Sequence, residues 1–414
     1  MDKIAIAFPG QGAQYVGMGE SFFKNYIICR QTFEEASDIS GVDMEKLCFK
    51  GPVTKLNHIE EMQLAVTTVN LAIARAYFYE YGIFPQFAFG HSVGEYAALS
   101  FAGAVRFSDV IRMLVFRGQL LREYMEQHDD TMMVAENIDC VSLEELILKQ
   151  NLKDEVFISS YNSEKQLLIS GTSQGIGVLA ELLLDIGARI TPMLSPPMHS
   201  PLLSSVAENF RAYLDGIRYF PFYFPIISNL TGKPFSEPAK IPDMLARHLK
   251  QPVFWEASVR CCERYGISMI VEAGPKNIVT NLIKAITPEL KLFCYGQKSD
   301  RQSINELLAG DSGRQKDVPE FIGRCLGIAV STKNSCRDAS VYREGVSESY
   351  RTLKKMQEQV RENNSHLTQE DMIKAISLLK TILMVKKVDQ TEQESWFKAL
   401  LDETNTYYLL AEEV

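Results

Sequence analysis

Short continuous apolar runs alternate with stretches of helical spacing over the first 125 residues of this chain, and that alternation predicts an α/β fold. Ile4 to Phe8 reads as a buried strand that ends in Pro9-Gly10-Gln11-Gly12-Ala13-Gln14, and helical patterning follows from Met18. Residues 20 to 82 carry helical spacing. Within them Thr67 to Tyr79, dense in Ala, Leu and Ile, predicts a helix buried against a sheet. Phe84 to Phe89 is a second strand, and Tyr96 to Phe101 and Phe107 to Met125 are further helices.

The period then shortens. Met132 to Ile138 reads as a strand, Leu143 to Lys149 as a helix, Val156 to Ser160 and Gln166 to Ser170 as strands, Ile176 to Ile186 as a helix and Arg189 to Leu194 as a strand. This β-α-β-β-α-β order is that of a ferredoxin-like unit inserted into the larger α/β domain. The chain returns through Ser195-Pro196-Pro197-Met198-His199-Ser200-Pro201, forms strands at Ile226-Ile227 and Met269 to Val271, and closes with a helix from Asn277 to Ala285. The expected architecture is a large α/β-hydrolase-like domain over residues 1–130 and 198–300, a ferredoxin-like small domain over 131–197, and a mostly helical C-terminal extension over 301–414.

In the extension, Gly310 to Arg314 reads as a linker. Val346, Tyr350, Leu353, Met356 and Val360 then fall on one face of a helix, Thr368 with Asp371 resembles a capping box opening a second helix through Val385, and Trp396 with Leu400 marks a third. Such stripes are usually packing surfaces; the sharper alternative is a docking face for a carrier protein or synthase module.

Composition narrows the function classes. A 414-residue chain with formal charge −9 and no block of like charge disfavours a nucleic-acid surface, although a local cation could still meet an anionic substrate. Eight cysteines without a CxxC spacing argue against a metal cluster or a disulfide framework and for reduced thiols in the cytoplasm. The N-terminus begins directly on a strand, with no signal peptide and no membrane span expected.

The candidate chemistry centres on Gly90-His91-Ser92-Val93-Gly94, a Gly-x-Ser-x-Gly between a strand and a helix. Two glycines permit a tight turn that exposes Ser92 above a helix N-terminus, the arrangement of a nucleophile elbow. The Gly10-Gln11-Gly12 turn is either punctuation or a source of oxyanion-stabilising N–H groups. Gln63 could line a pocket. Arg117 lies among Leu114, Val115, Phe116 and Leu120, as either a surface residue with a buried stem or an anion ligand. Of six histidines, His58, His128, His248 and His366 occupy polar or helical surroundings and read as structural or solvated. His199, between prolines at the junction of the two domains, reads as positioned in a cleft.

Taken together, Gly10-Gln11-Gly12-Ala13-Gln14, Gln63, the Gly90–Glu95 segment, Arg117, Asn162-Ser163, His199 and Glu272-Ala273-Gly274-Pro275 resemble, in order and spacing, the malonyl-CoA:acyl carrier protein transacylases, including the stand-alone enzymes of polyketide and hybrid peptide-polyketide assembly lines. The resemblance spans residues 1 to 300; beyond it, Pro319-Glu-Phe-Ile-Gly-Arg-Cys-Leu-Gly and the helical tail resemble extended acyltransferases more weakly. The resemblance implies Ser92 as nucleophile and His199 as general base, oriented by the main-chain carbonyl of Gln251. It also implies an oxyanion hole from the N–H groups of Gln11 and Val93, Arg117 as the clamp on a malonyl carboxylate, and Gln63, His91, Asn162 and Met198 around the substrate.

Two positions bear on selectivity. Met198 stands where malonyl-specific members commonly carry phenylalanine, which leaves room for a 2-substituted malonyl unit, hydroxy or amino, delivered on a carrier protein. Val93 is of the malonyl type. The implied reaction runs from malonyl-CoA through acyl-Ser92 to the phosphopantetheine thiol of an acyl carrier protein, in a cytoplasmic monomer with no metal, resident cofactor, nucleic acid or membrane. A hydrolase that clears stalled carrier proteins and a silent scaffold are the competing readings; Arg117 counts against the first and the complete Ser92–His199 set against the second.

Overall fold

The computed structural model describes residues 2–311, 321–362, 369–404, 406 and 410. Two compact units, Met1–Leu308 and Ala309–Val414, divide the chain.

In the first unit the strands are β1 (Ile4–Phe8), β2 (Phe87–Gly90), β3 (Asp130–Glu136), β4 (Val156–Ser163), β5 (Gln166–Thr172), β6 (Arg189–Met193), β7 (Ile226–Ile227), β8 (Met269–Glu272) and β9 (Lys291–Cys294). Five of them form an all-parallel sheet in the order β7-β2-β1-β8-β9, and the other four an antiparallel sheet in the order β4-β5-β3-β6. The second order, with helices Cys140–Lys149 and Ser173–Asp185 between strands, is the ferredoxin-like topology the sequence period predicts. β1, β2 and β8 are buried along their whole length, as parallel strands covered on both faces must be. Helix Ile59–Tyr81, which contains the apolar stretch expected to lie on the sheet, buries every residue from Met62 to Phe78.

The parallel register fixes where the loops emerge. Phe8 pairs with Gly90 and Ala7 with Glu272, so the Gly-Gln turn after β1, the elbow after β2 and Glu272-Ala-Gly-Pro after β8 leave the same edge together. Ligands of open α/β sheets bind at this carboxyl edge. The Glu272 segment contributes structure: its carboxylate accepts the N–H groups of Val279 (3.2 Å) and Thr280 (2.7 Å) at the start of helix Ile278–Ile286. A Cβ on Gly274 would lie 2.2 Å from the ring of Pro9, so this glycine lets the β8 loop press on the Gly-Gln turn.

The second unit is helical, with helices Phe321–Ser331, Ala339–Tyr342, Glu348–Glu362, Gln369–Val385 and Gln390–Thr404. Val346, Leu353 and Met356 are buried in its own core with Leu379 and Leu400, and Tyr350, Val360 and Trp396 pack against that core. The stripe is therefore interior packing and not a free docking face. Ser312–Arg314 of the expected linker, Pro319, Thr368 of the expected capping box, and His366 lie outside the described residues; Gly310 and Asp311 end helix Lys298–Asp311. No described helix is long and apolar enough to cross a membrane, and all eight cysteines are free thiols.

Candidate active site

β2 ends at Gly90, and the chain turns at Ser92 with φ 52° before entering helix Gly94–Phe101. A left-handed backbone is strained for serine, and such strain is tolerated where the surroundings over-determine it. Here they do. A Cβ on Gly90 would fall 2.0 Å from the carbonyl carbon of Gly94, and one on Gly94 would fall 2.3 Å from the carbonyl oxygen of Phe8, so no other residue fits at either position. The turn is further held by Asn229, just beyond β7, a residue that no motif in the sequence marks. Its Oδ1 accepts the Ser92 N–H at 2.9 Å, its Nδ2 donates to the Gly90 carbonyl at 2.5 Å, and its own N–H donates to the Glu95 carboxyl at 3.0 Å.

One amide side chain thus grips both ends of the strained peptide. Burial pushes the Glu95 carboxyl up to about 8, against the Asn229 bonds that lower it, so the acid is largely protonated at neutral pH. Asn229→Ala leaves a buried donor and acceptor without partners, each costing about 1–3 kcal/mol. It should lower the melting temperature and slow serine acylation by about 10- to 100-fold, the penalty of a displaced reacting group; thermal denaturation and adduct mass against time measure the two effects.

Across 107 residues of sequence, His199 brings Nε2 to 2.8 Å from the Ser92 Oγ. His199 itself has φ 60°, within the Pro197–Pro201 segment that fixes it. The group that orients it is not Gln251, as expected, but His248, whose carbonyl accepts Nδ1–H at 2.6 Å; the Leu249 carbonyl takes the His199 backbone N–H at 2.8 Å. The reason is local. Helix Ile241–Lys250 leaves its last carbonyls without intrahelical partners, and these face His199, whereas Gln251 is already extended at φ −129°, ψ 150° and beyond the helix end. Its side chain instead accepts from Arg247. His248, which reads in sequence as structural or solvated, is 2% exposed. With Nδ1 donating, Nε2 of His199 is the unprotonated nitrogen and accepts the Ser92 hydroxyl, the tautomer a general base needs.

Burial pushes the His199 imidazole down to about 3; the His248 carbonyl bond opposes this, and the charge of Arg117 and His91 add to it. The neutral, basic form is then present throughout the physiological range. Because the folded value lies below the ordinary one, acylation should be flat from about pH 6 to 9 and decline only on approach to the folded value. A rate profile against pH that breaks near 6.5 would contradict this.

The Ser92 N–H is committed to Asn229, which leaves the next amide, Val93, as the donor available at the elbow. Neither Val93 N–H nor Gln11 N–H takes part in a hydrogen bond found among the described residues. A Cβ added to Gly10 would lie 2.4 Å from the His91 carbonyl and 3.5 Å from the Ser92 Cβ, which places the Gly-Gln turn against the nucleophile. The turn is pinned by Asn70 on the Pro9 carbonyl at 2.8 Å, by Lys276 on the Gly12 and Gln14 carbonyls at 3.2 and 2.9 Å, and by Ser195 on the Gln11 side chain at 3.3 Å. Two N–H groups without other partners among the described residues, one at the elbow and one in a turn held against it, are the kind of donors an oxyanion requires.

Arg117 is buried, 2% exposed, on helix Phe107–Gln127. Its Nη1 donates to Gln63 Oε1 at 2.5 Å, its guanidinium lies 5.5 Å over the Tyr96 ring, and its Nε has no hydrogen bond. Gln63 is in turn fixed by the Leu114 carbonyl at 2.8 Å. Among the described residues this buried cation has a neutral amide and an aromatic face beside it and no carboxylate paired with it. Burial accordingly lowers its affinity for a proton. A guanidinium in this setting can hold an anion through two parallel N–H···O bonds.

His91 donates Nε2–H to Asn162 Oδ1 at 2.8 Å and its ring meets Trp255 edge-on at 5.1 Å; Ser160 also donates to Asn162 Oδ1, at 2.7 Å, and Asn162 donates to Gln166. These contacts tie the elbow to the small domain. Met198 is buried before the base, its carbonyl accepting from Ser170 at 2.6 Å. Of the expected site residues, the structure thus joins Ser92 to His199, Gln63 to Arg117 and His91 to Asn162, and removes Gln251 from its assigned role.

The acyl transferase domain family matches residues 6–291. A Bacillus subtilis malonyl CoA-acyl carrier protein transacylase is 30% identical over 399 residues, 95% of this chain and 99% of that protein. A second, from Bacillus subtilis strain 168, is 32% identical over 307 residues, 73% of this chain and 96% of that protein. Among solved structures, the malonyl-CoA:acyl carrier protein transacylase of Xanthomonas oryzae superposes with TM-score 0.71 at 28% identity, covering 74% of this chain and 98% of that one. A malonyl-transacylase in complex with a type II polyketide acyl-carrier protein superposes with TM-score 0.71 at 30% identity, covering 74% and 99%. With a serine on a strained elbow, a base of the right tautomer and this similarity over nearly its whole length, the chain is an acyltransferase and belongs to the malonyl-CoA:acyl carrier protein transacylase family.

Proposed function

We propose that this protein moves a malonyl unit from malonyl-CoA to the phosphopantetheine thiol of an acyl carrier protein, within polyketide or hybrid peptide-polyketide synthesis. The observation that carries the reading is the buried Arg117 with only a neutral side chain and a ring for company. A malonyl carboxylate supplies the missing charge through two parallel N–H···O bonds. Acetyl offers none.

The steps follow from the geometry. Ser92 Oγ attacks the thioester carbonyl as its proton passes to His199 Nε2, and the tetrahedral oxyanion rests on the N–H groups of Gln11 and Val93. The carbon–sulfur bond breaks and the thiolate leaves with the proton from His199. The carrier's thiol then enters by the reverse sequence, and Ser92 regains its proton. The thiol belongs to the partner, and the reading needs no metal and no resident cofactor. We place the reaction in the cytoplasm and on a monomer.

The reading of assembly-line work, beyond fatty acid synthesis, rests on the resemblance to extended acyltransferases carried by the C-terminal helical unit. That unit falls within the 95% of this chain matched by the first Bacillus subtilis relative and beyond the span of the family match. The polyketide carrier protein bound to one structural neighbour points the same way. The buried Met198 favours a second reading for the acyl unit alone, because a flexible thioether wall accommodates a substituent at C2 of the malonyl group.

Intact-protein mass after brief incubation with malonyl-, acetyl- and methylmalonyl-CoA tests this. A malonyl adduct that clears onto added holo carrier protein is expected. Release of free malonate with the carrier unlabelled would make the protein a hydrolase; an adduct formed only from acyl carrier donors would establish carrier-to-carrier transfer.

A further inference from the structure

His248 meets the catalytic histidine twice. Its carbonyl holds Nδ1, and its own ring packs on the His199 ring with centroids 4.6 Å apart and planes inclined by 34°. The side chain is 2% exposed, and its Nε2 has no hydrogen bond. A buried nitrogen without a partner gives the fold nothing, so the contribution of this side chain lies in its face. That face has a task. Both hydrogen bonds of the His199 ring, at Nδ1 and Nε2, lie near the ring plane and oppose tilting out of it only weakly, whereas a contact against the ring face opposes that tilt directly. A cavity of about 690 Å3, lined in part by Tyr161, Lys250, Gln251 and Pro252, also borders His199, which is itself buried.

We propose that the His248 side chain is a positioning residue for acyl transfer: its ring, packed on that of His199, holds Nε2 in line with Ser92 and keeps water from the face it covers. The inference rests on the acyl-Ser92 reading above. The ionisable groups bearing on His248 are His199, His91 from the elbow and Arg117 from helix Phe107–Gln127; on its own helix Arg247 is engaged by Asp243 and Gln251. Burial first, and then these three neighbours, keep the His248 imidazole well below its usual range and so neutral. Neutrality matters at the moment His199 takes the serine proton. A second cation so near would oppose the transfer, whereas the face of a neutral ring receives a cation favourably.

The test compares His248→Ala with His248→Phe, which keeps the flat face and removes both nitrogens. Two readouts are used: malonylation of Ser92, and phosphonylation of Ser92 by a fluorophosphonate, in which Oγ displaces fluoride as His199 takes the proton. For His248→Ala we expect both reactions about 10-fold slower, with KM for malonyl-CoA within about 2-fold of wild type. The acid limb of kcat should move to higher pH, because loss of the covering ring relieves the burial that holds the His199 value down. His248→Phe should stay within about 3-fold of wild type on both readouts, with the limb still low.

Wild-type rates and an unmoved limb in His248→Ala would overturn the proposal, as would His248→Phe as slow as the alanine variant. If His248→Ala fails to fold, His248→Leu, which keeps apolar volume without a plane, replaces it with the same loss expected. A wild-type protein that is phosphonylated but takes no acyl group from malonyl-CoA would count against the donor assignment alone, and phosphonylation rates would then decide the role of His248.

Discussion

Ser92→Ala will acquire no mass from malonyl-CoA under conditions that fully acylate the wild type, and transfer to a carrier protein will fall by on the order of 10⁴-fold or more. The oxygen lost is the one 2.8 Å from His199 Nε2, and the neighbourhood holds no second hydroxyl bonded to that nitrogen. Alanine removes little else. The elbow is set by Gly90, Gly94 and the Asn229 grip on backbone atoms, none of which involves the serine side chain. Malonyl-CoA binding should therefore survive within a few fold, and calorimetric titration separates lost chemistry from lost affinity. His199→Ala should fall nearly as far, and the double variant no further, because nucleophile and base act as one unit. A multiplicative loss in the double variant would mean that His199 and Ser92 act independently, against the geometry.

Arg117→Met should exchange function for stability. Methionine fills the buried slot with apolar atoms and removes a cation that has no carboxylate paired with it among the described residues, so the melting temperature should hold or rise. Malonylation of Ser92 should drop by about 30- to 1,000-fold, the range for truncating one partner of a buried hydrogen-bonded charge pair at about 2–4 kcal/mol. Acetyl-CoA, with no carboxylate to leave stranded, should become the better donor. Competition between the two CoA esters, read by intact mass, gives the selectivity ratio directly. Unchanged preference for malonyl would show that the carboxylate is held elsewhere. A sharp loss of melting temperature would show that Arg117 is a structural tie through Gln63.

The elements legible in the sequence are those whose signals are local. Two glycines around Ser92 announce the elbow because backbone crowding at Gly90 and Gly94 excludes any side chain. The β-α-β-β-α-β period announces the small domain because each strand is recognisable by itself. Asn229 was not legible, since its partners lie more than 130 positions upstream and nothing near it distinguishes it from a strand end. Gln251 took its role from the resemblance alone, and the register of a helix end is what that resemblance leaves open. Which carbonyls of a helix end face a distant side chain depends on where the last turn stops, and sequence places such ends only to within a residue or two. The same ambiguity hid His248, whose burial is tertiary. In the C-terminal unit, the stripe from Val346 to Val360 was legible as a stripe, but only the structure supplies the core it packs into.

The spacing of the catalytic parts along the chain sets an order of assembly during synthesis. The nucleophile leaves the ribosome first, the base 107 positions later, and the carbonyl that fixes its tautomer 49 positions after that. A nascent chain that has exposed Ser92 but not His248 holds a serine without an oriented base. On the acyl-Ser92 reading proposed above, such a chain would not capture acyl groups from the surrounding thioester pool, and reactivity would begin only once helix Ile241–Lys250 is in place.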